Sequence, residues 1–326
     1  MSFKILATAD LHLGRHSSRL PGTKAAELGP TTKVLDNIKK QALELNVDAV
    51  VIAGDVIDDH NDFLEIYDAL STFFQTLLEH EIHVVVTAGN HDFDSLPEFI
   101  NHWQPPETSQ KLHLLGSQSA WKDVTLTNNN GETVQFIGWS FESRYYHNNP
   151  IDLLDHNQIA SDTPTVGLLH GDLKQKESSY APVDHDQIKQ YDVAAWIVGH
   201  IHKPDILNQD QPFIAYPGSP QPLSPKETGE HGLLLLEIEP SSHISCQHIP
   251  LKTLRYHDYP ISITEDLEPE ALRSHIHQKL SEVQAAQLNI VDLELTGIYP
   301  DLDLIDEIAG EFYDKFFQNS VFIQKV

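Results

Sequence analysis

Five short motifs follow one another along this chain, four of them directly after an apolar, strand-like run. They are Asp10-Leu11-His12, Gly54-Asp55, Gly89-Asn90-His91-Asp92, His170-Gly171 and Gly199-His200-Ile201-His202. Polar motifs that each close a buried strand constrain the fold, because sites in open α/β sheets form outside the carboxyl ends of strands. Side chains at i and i+2 of an extended segment point the same way. Asp10 with His12, and His200 with His202, can therefore converge on one region. The glycines that open three of the motifs permit the tight turns and close backbone approach this needs.

The intervening sequence supports such a sheet. Phe3–Ala9, Asp48–Ala53 and Ile82–Ala88 read as buried strands. Between them, Thr31–Leu45 and Phe63–Leu78 carry apolar residues at helical spacing. Further strands are predicted at Val134–Trp139, Thr165–Leu169, Val193–Val198, Phe213–Tyr216 and Leu233–Ile238, with fewer helices between them. The pattern predicts an α/β fold whose sheet begins parallel and ends partly antiparallel, as two packed sheets flanked by helices. After Pro250 the chain reads strand Pro260–Ile263, helix Glu268–Ala286, strand Ile290–Thr296, helix Leu302–Phe317 and strand Val321–Gln324. That predicts two domains, residues 1–255 and a small α/β module over 256–326.

Two Asp, one Asn and four or five His form the donor set that two divalent metals need. Paired metals are a common device for cleaving phosphate esters. The single cysteine, Cys246, excludes a disulfide framework and a thiolate zinc site. Taken singly the motifs are weak: with 20 His in 326 residues, His-x-His is expected by chance about once. Their order on successive strand ends is what carries weight.

The set resembles the calcineurin-like metallophosphoesterase superfamily, whose pattern is D-x-H, G-D, G-N-H-[DE], H and G-H-x-H, over roughly residues 4–205. Thr8-Ala9-Asp10-Leu11-His12-Leu13-Gly14 is similar to the opening of SbcD and YhaO-like DNA-repair exonucleases. So is Tyr216-Pro217-Gly218-Ser219-Pro220-Gln221-Pro222-Leu223, followed by Glu227-Thr228-Gly229 and Gly232–Leu236. The resemblance implies a metallophosphoesterase two-sheet core with a small C-terminal capping module. It implies Asp10, His12 and His202 on one metal, Asn90, His170 and His200 on the other, and Asp55 bridging both. His91 would sit near the scissile phosphate as a catalytic acid, with Asp92 orienting it. The mixed O and N donors favour manganese. DNA is the implied substrate and an SbcC-like SMC-type ATPase the implied partner. A homodimer is left open.

Two features depart from that picture. Several such nucleases carry a His three residues after the bridging Asp, where this chain has Asp58, with His60 two further on. An acid there repels a phosphate unless it is paired or binds metal. The formal net charge is −27, which repels nucleic acid at long range. Local positives available to contact phosphates include Arg15 and Lys203, each just beyond a ligand pair, and Arg144, which precedes Tyr145 and Tyr146. The competing expectation is a small-molecule nucleotide phosphodiesterase or phosphatase, which the acidic surface favours. A non-catalytic scaffold fits less well, since buried His and Asp clusters are costly without a metal. The N-terminus lacks a signal-peptide core and no stretch approaches a membrane span, which predicts a soluble, cytoplasmic chain.

Overall fold

The computed structural model describes residues 2–58, 63–103, 109–116, 120–175, 177–264, 268–283, 285–317 and 320–326. His60 lies outside them. The chain divides into two compact units. The first comprises residues 1–15, 30–220 and 232–250; the second comprises 16–29, 221–231 and 251–326.

The first unit is built on two six-stranded sheets. In one, Phe3–Thr8, Ala49–Ala53, His83–Thr87 and Leu112–Leu114 run parallel. Gly232–Ile238 and Ile244–Pro250 add antiparallel strands on the other side of Phe3–Thr8. In the second sheet Thr133–Trp139, Thr165–His170, Ala195–Gly199 and Phe213–Tyr216 are parallel neighbours. Lys122–Thr127 and Asp205–Asn208 close its edges antiparallel. The parallel-then-antiparallel expectation holds.

Alternation places the core. Ile5, Ala7, Val51, Ala53 and Val85 of the first sheet meet Phe136, Val166, Leu168, Ile197 and Ala215 of the second in one buried cluster. Trp139, Leu169, Trp196, Val198 and Tyr216 point the opposite way and pack under Ile151, Val183, Ile188 and Tyr191. The helices Val34–Leu45 and Phe63–Glu79 bury Leu35, Ile38 and Ala42, and Leu70, Phe73, Phe74 and Leu77. The central strands are buried on both faces and therefore read as continuous apolar runs. The strands the sequence did not announce, Leu112–Leu114, Lys122–Thr127, Asp205–Asn208 and Ile244–Pro250, lie at sheet edges and are only partly buried.

The second unit carries a four-stranded sheet in the order Leu254–Ile263, Leu288–Gly297, Val321–Lys325, Lys315–Phe317. The first three strands are parallel and the last is antiparallel. The helices Pro269–Ser281 and Leu302–Phe312 bury Leu272, Ile276, Leu280, Ile308 and Phe312 against Ile261, Val291, Leu293, Val321 and Ile323. The helix expected to reach Phe317 ends at Phe312. Asp314 takes a left-handed φ of 54° and its N–H donates to the Ile323 carbonyl at 2.9 Å, turning Lys315–Phe317 back as a strand. Residues 16–29 and 221–231 belong to this unit as well: the Gln221 amide donates to Ser17 Oγ and to the Leu28 carbonyl, and Ser17 Oγ donates to the Pro222 carbonyl. Among the described residues no helix is long and apolar enough to cross a membrane.

Candidate metal centre

All the motif residues emerge where the parallel strands of the first unit's two sheets end. Asp10 and His12 follow Phe3–Thr8, Asp55 follows Ala49–Ala53, and Asn90 and His91 follow His83–Thr87. His170 closes Thr165–His170, and His200 and His202 follow Ala195–Gly199. Backbone bonds zip the first two loops together: Asp10 N–H donates to the Gly54 carbonyl at 3.1 Å and His12 N–H to the Asp55 carbonyl at 3.0 Å.

Asp10, His12, Asp55 and His200 all have positive φ, of 54°, 46°, 51° and 98°. Such conformations are uncommon outside glycine and persist where the surroundings impose them. Here they turn the side chains inward from strands that have just ended. The glycines make room: a Cβ at Gly89 would strike the Asp55 carboxylate, and one at Gly199 would meet His170 Nδ1 at 2.6 Å.

Backbone N–H groups fix both carboxylates. His200 N–H donates to the Asp10 oxygens at 3.0 and 3.1 Å, and His91 N–H to Asp55 Oδ1 at 2.9 Å. His170 Nδ1 donates to the Ala53 carbonyl at 3.0 Å. Its Nε2 lies 3.1 Å from Asn90 Oδ1 and 3.3 Å from Asp55 Oδ2, so a proton or a cation is needed between that nitrogen and the oxygens. His12 Nε2 and His202 Nε2 approach to 3.0 Å, and His12 Nδ1 is buried without a hydrogen-bond partner.

The charge states reflect this crowding. Burial raises the Asp10 carboxyl above its usual range. Burial works against ionised Asp55 too, but the His170, His12 and His91 rings hold its carboxyl low. His170 is pushed up to about 9, burial being outweighed by Asp55 and Asp10. Burial and the nearby His170 depress His200 to about 3. Buried acids and imidazoles that must share protons in this way are the donor set of a cation site. Three triads, Asp10–His12–His202, Asp10–Asp55–His170 and His12–Asp58–His91, have donor atoms within 4.8 Å of one another, the first two made wholly of expected ligands. The residues therefore fit a pair of divalent cations, and the donors are oxygen and nitrogen only.

Asp58 changes the reading of His91. His91 Nδ1 makes a short ion pair with Asp58 Oδ1, and Arg15 Nε binds Asp58 Oδ2 at 2.9 Å. Asp58 also lies 3.6 Å from His12 Nδ1. Burial opposes its ionisation, yet the neighbouring His12 ring and the bond from His91 hold its carboxyl far below the usual range, and the bond to Asp58 raises His91. The acid that stood out as a departure is thus fully paired. Asp92, expected to orient His91, instead accepts from Gly89 N–H and Val56 N–H, both at 2.6 Å, and from Ile57 N–H at 3.3 Å. Its carboxyl is pushed up to about 7 by burial and by the charge on Asp55. It ties two loops together and does not touch His91 through these bonds. An Asp three residues beyond Asp55 was the available signal for this exchange of roles.

Of the basic residues, Arg15 meets the centre through its side-chain bond to Asp58 and its N–H donates to the His12 carbonyl at 3.0 Å. Lys203 is exposed and makes no ion pair among the described residues. Tyr180, not singled out in the sequence, lays its ring 4.9 Å from that of His200.

The chain belongs to the calcineurin-like phosphoesterase family, whose model matches residues 3–204. That fold uses two divalent metals, and the chain carries candidate ligand clusters for them. The metallophosphoesterase YhaO of Bacillus subtilis is 28 % identical over 90 % of this chain and 71 % of its own length. The SbcD component of the nuclease SbcCD of Bacillus subtilis is 24 % identical over 77 % of this chain and 70 % of its own. The DNA double-strand break repair protein Mre11 of Methanocaldococcus jannaschii is 25 % identical over 65 % of this chain, which spans 54 % of that relative.

Proposed function

We propose that this metallophosphoesterase is a two-metal phosphodiester hydrolase acting on DNA. The observation that carries the chemistry is the convergence of Asp10, His12, Asp55, Asn90, His170, His200 and His202 on the shared ends of two sheets. The DNA substrate is supported by the names of two relatives, the SbcCD nuclease and Mre11.

Asp10, His12 and His202 would hold one cation, Asn90, His170 and His200 the second, and Asp55 both. Such a pair supplies charge neutralisation at the phosphate and lowers the pKa of water; manganese suits the donors. The chain's own residues do the rest. Asp58 fixes the His91 proton on Nδ1 and favours the charged ring, so Nε2 is left to donate to the leaving oxygen. Asp92 holds the loops of Asp55 and Asn90 in register. The second unit would act as a capping module, and an SbcC-like ATPase as the partner, on the same resemblance.

A second reading, a small-molecule nucleotide phosphodiesterase, is favoured by the net charge of −27. Purified protein with manganese, tested on labelled linear DNA and on bis(4-nitrophenyl) phosphate, separates the two. Cleavage of both is expected. Hydrolysis of the chromogenic ester with no attack on DNA, with or without an ATPase partner, sinks the nuclease reading.

A further inference from the structure

A row of aromatic rings leads away from the centre within the first unit. The Tyr180 ring lies 4.9 Å from His200 and 5.8 Å from Tyr145. Tyr145 and His147 lie 6.5 Å apart with their planes within 19° of parallel. The backbone beneath is fixed: Tyr146 N–H donates to the Ser179 carbonyl at 2.9 Å, and Ala181 N–H to the Tyr146 carbonyl at 2.7 Å. Alternation along this extended piece sends Tyr146 inward, onto Trp139 at 4.8 Å, and its neighbours Tyr145 and His147 the other way. Tyr145 is 52 % exposed, and His147 is exposed. A half-exposed tyrosine aligned with a second exposed ring is not explained by core packing.

We infer that Tyr145 and His147 form a stacking subsite for one unpaired nucleobase of a single DNA strand whose scissile phosphate lies at the metal ligands, with Tyr180 bridging the two. The inference rests on the nuclease reading and sharpens it. Tyr145 and His147 present near-parallel ring faces with centroids 6.5 Å apart, and a base can stack on an exposed face of either. Stacking uses the π-face of a base and not its phosphate, so this contact itself carries no demand for positive charge on a chain of net charge −27. Glu142 and Arg144, both exposed, flank Tyr145 with opposite charges, so the subsite reads a ring rather than a phosphate. A base must be unstacked to enter, which selects single strands, frayed ends and gaps over intact duplex.

The experiment uses single-stranded oligonucleotides in which an abasic residue is stepped one nucleotide at a time past the cleaved bond. It is paired with a metal-free fluorescence titration of the same strand carrying 2-aminopurine. In the wild type, one abasic position should lower kcat/KM by about tenfold to a hundredfold, the range expected for one lost base stack. Tyr145→Ala and His147→Ala should flatten that dependence and remove the 2-aminopurine quenching, while Tyr145→Trp keeps both; thermal melting confirms that each variant folds. Cleavage indifferent to every abasic position, or a dependence unchanged in Tyr145→Ala, overturns the subsite and leaves the nuclease reading standing. Quenching through Tyr145 without cleavage of any strand keeps base stacking at Tyr145 but overturns the nuclease reading, and with it the placement of a scissile phosphate at the metal ligands. Neither quenching nor cleavage overturns both.

Discussion

The ligand-bearing strand ends of the first unit and the four-stranded sheet of the second are built by opposite rules. At the first, four candidate ligands adopt left-handed backbone, carboxylates are buried beside imidazoles, and three glycines leave room for side chains that would otherwise collide. In the second, two helices lay apolar stripes on parallel strands. Its turn at Asp314 shows a left-handed residue doing only structural work. Buried carboxylates and imidazoles are thus gathered where cations and phosphate are expected, and the second unit's sheet is held by ordinary packing.

Glycine substitution is the sharpest way to break this contrast. Gly89→Ala drives a methyl into the Asp55 carboxylate, and a displacement near 1 Å at a reacting centre costs on the order of a hundredfold in rate. Metal content should fall with it. Gly310→Ala, in the exposed interior of the helix Leu302–Phe312 with nothing within 4 Å of the added Cβ, should stabilise the protein by about 0.5–1 kcal/mol. Equal effects of the two on turnover or on melting would erase the distinction.

Asp58→Asn separates ligands from supporting groups inside the centre. It keeps an acceptor for His91 Nδ1 but removes the charge that favours the protonated ring. Metal content should be retained and kcat should fall by roughly ten- to a hundredfold, with a smaller change in KM. Loss of metal instead would make Asp58 a ligand.

A smaller effect is expected at the opposite end of the first sheet. Burial and the neighbouring His83 hold His113 down at about 4. The unfolded chain, with an ordinary His near 6.5, therefore binds a proton that the folded chain does not. This contribution is whole above about pH 6.5 and is lost as pH falls from there toward 4. Urea midpoints followed over that window should fall more steeply for the wild type than for His113→Gln. The difference should be on the order of 1–2 kcal/mol, moderated because the ring is partly exposed. Parallel curves would contradict it.

The sequence made most of the second unit's elements legible from periodicity, because apolar stripes specify a β-α-β module, while the strand Lys315–Phe317 was read as the end of a helix. Its borrowed pieces, residues 16–29 and 221–231, were not legible, since a tie such as Gln221 to Ser17 spans over two hundred residues. At the centre the reverse holds. Motif order identified which side chains meet, because each closes a strand. It did not show who pairs with whom: Asp58 and Asp92 are both acids near Asp55, and only the path of the backbone assigns one to His91 and the other to the N–H groups of Gly89 and Val56. The left-handed φ values have no local sequence signature of a site, since Asp314 adopts one at a turn that carries no candidate ligand.

The central claim, that seven side chains on two sheets hold a pair of cations bridged by Asp55, is tested most directly by metal stoichiometry. Elemental analysis after manganese loading and dialysis should give two ions per wild-type chain, and Asp55→Asn should lose both along with turnover. Two ions retained in Asp55→Asn at an unchanged rate, or a wild type that binds none, would contradict it.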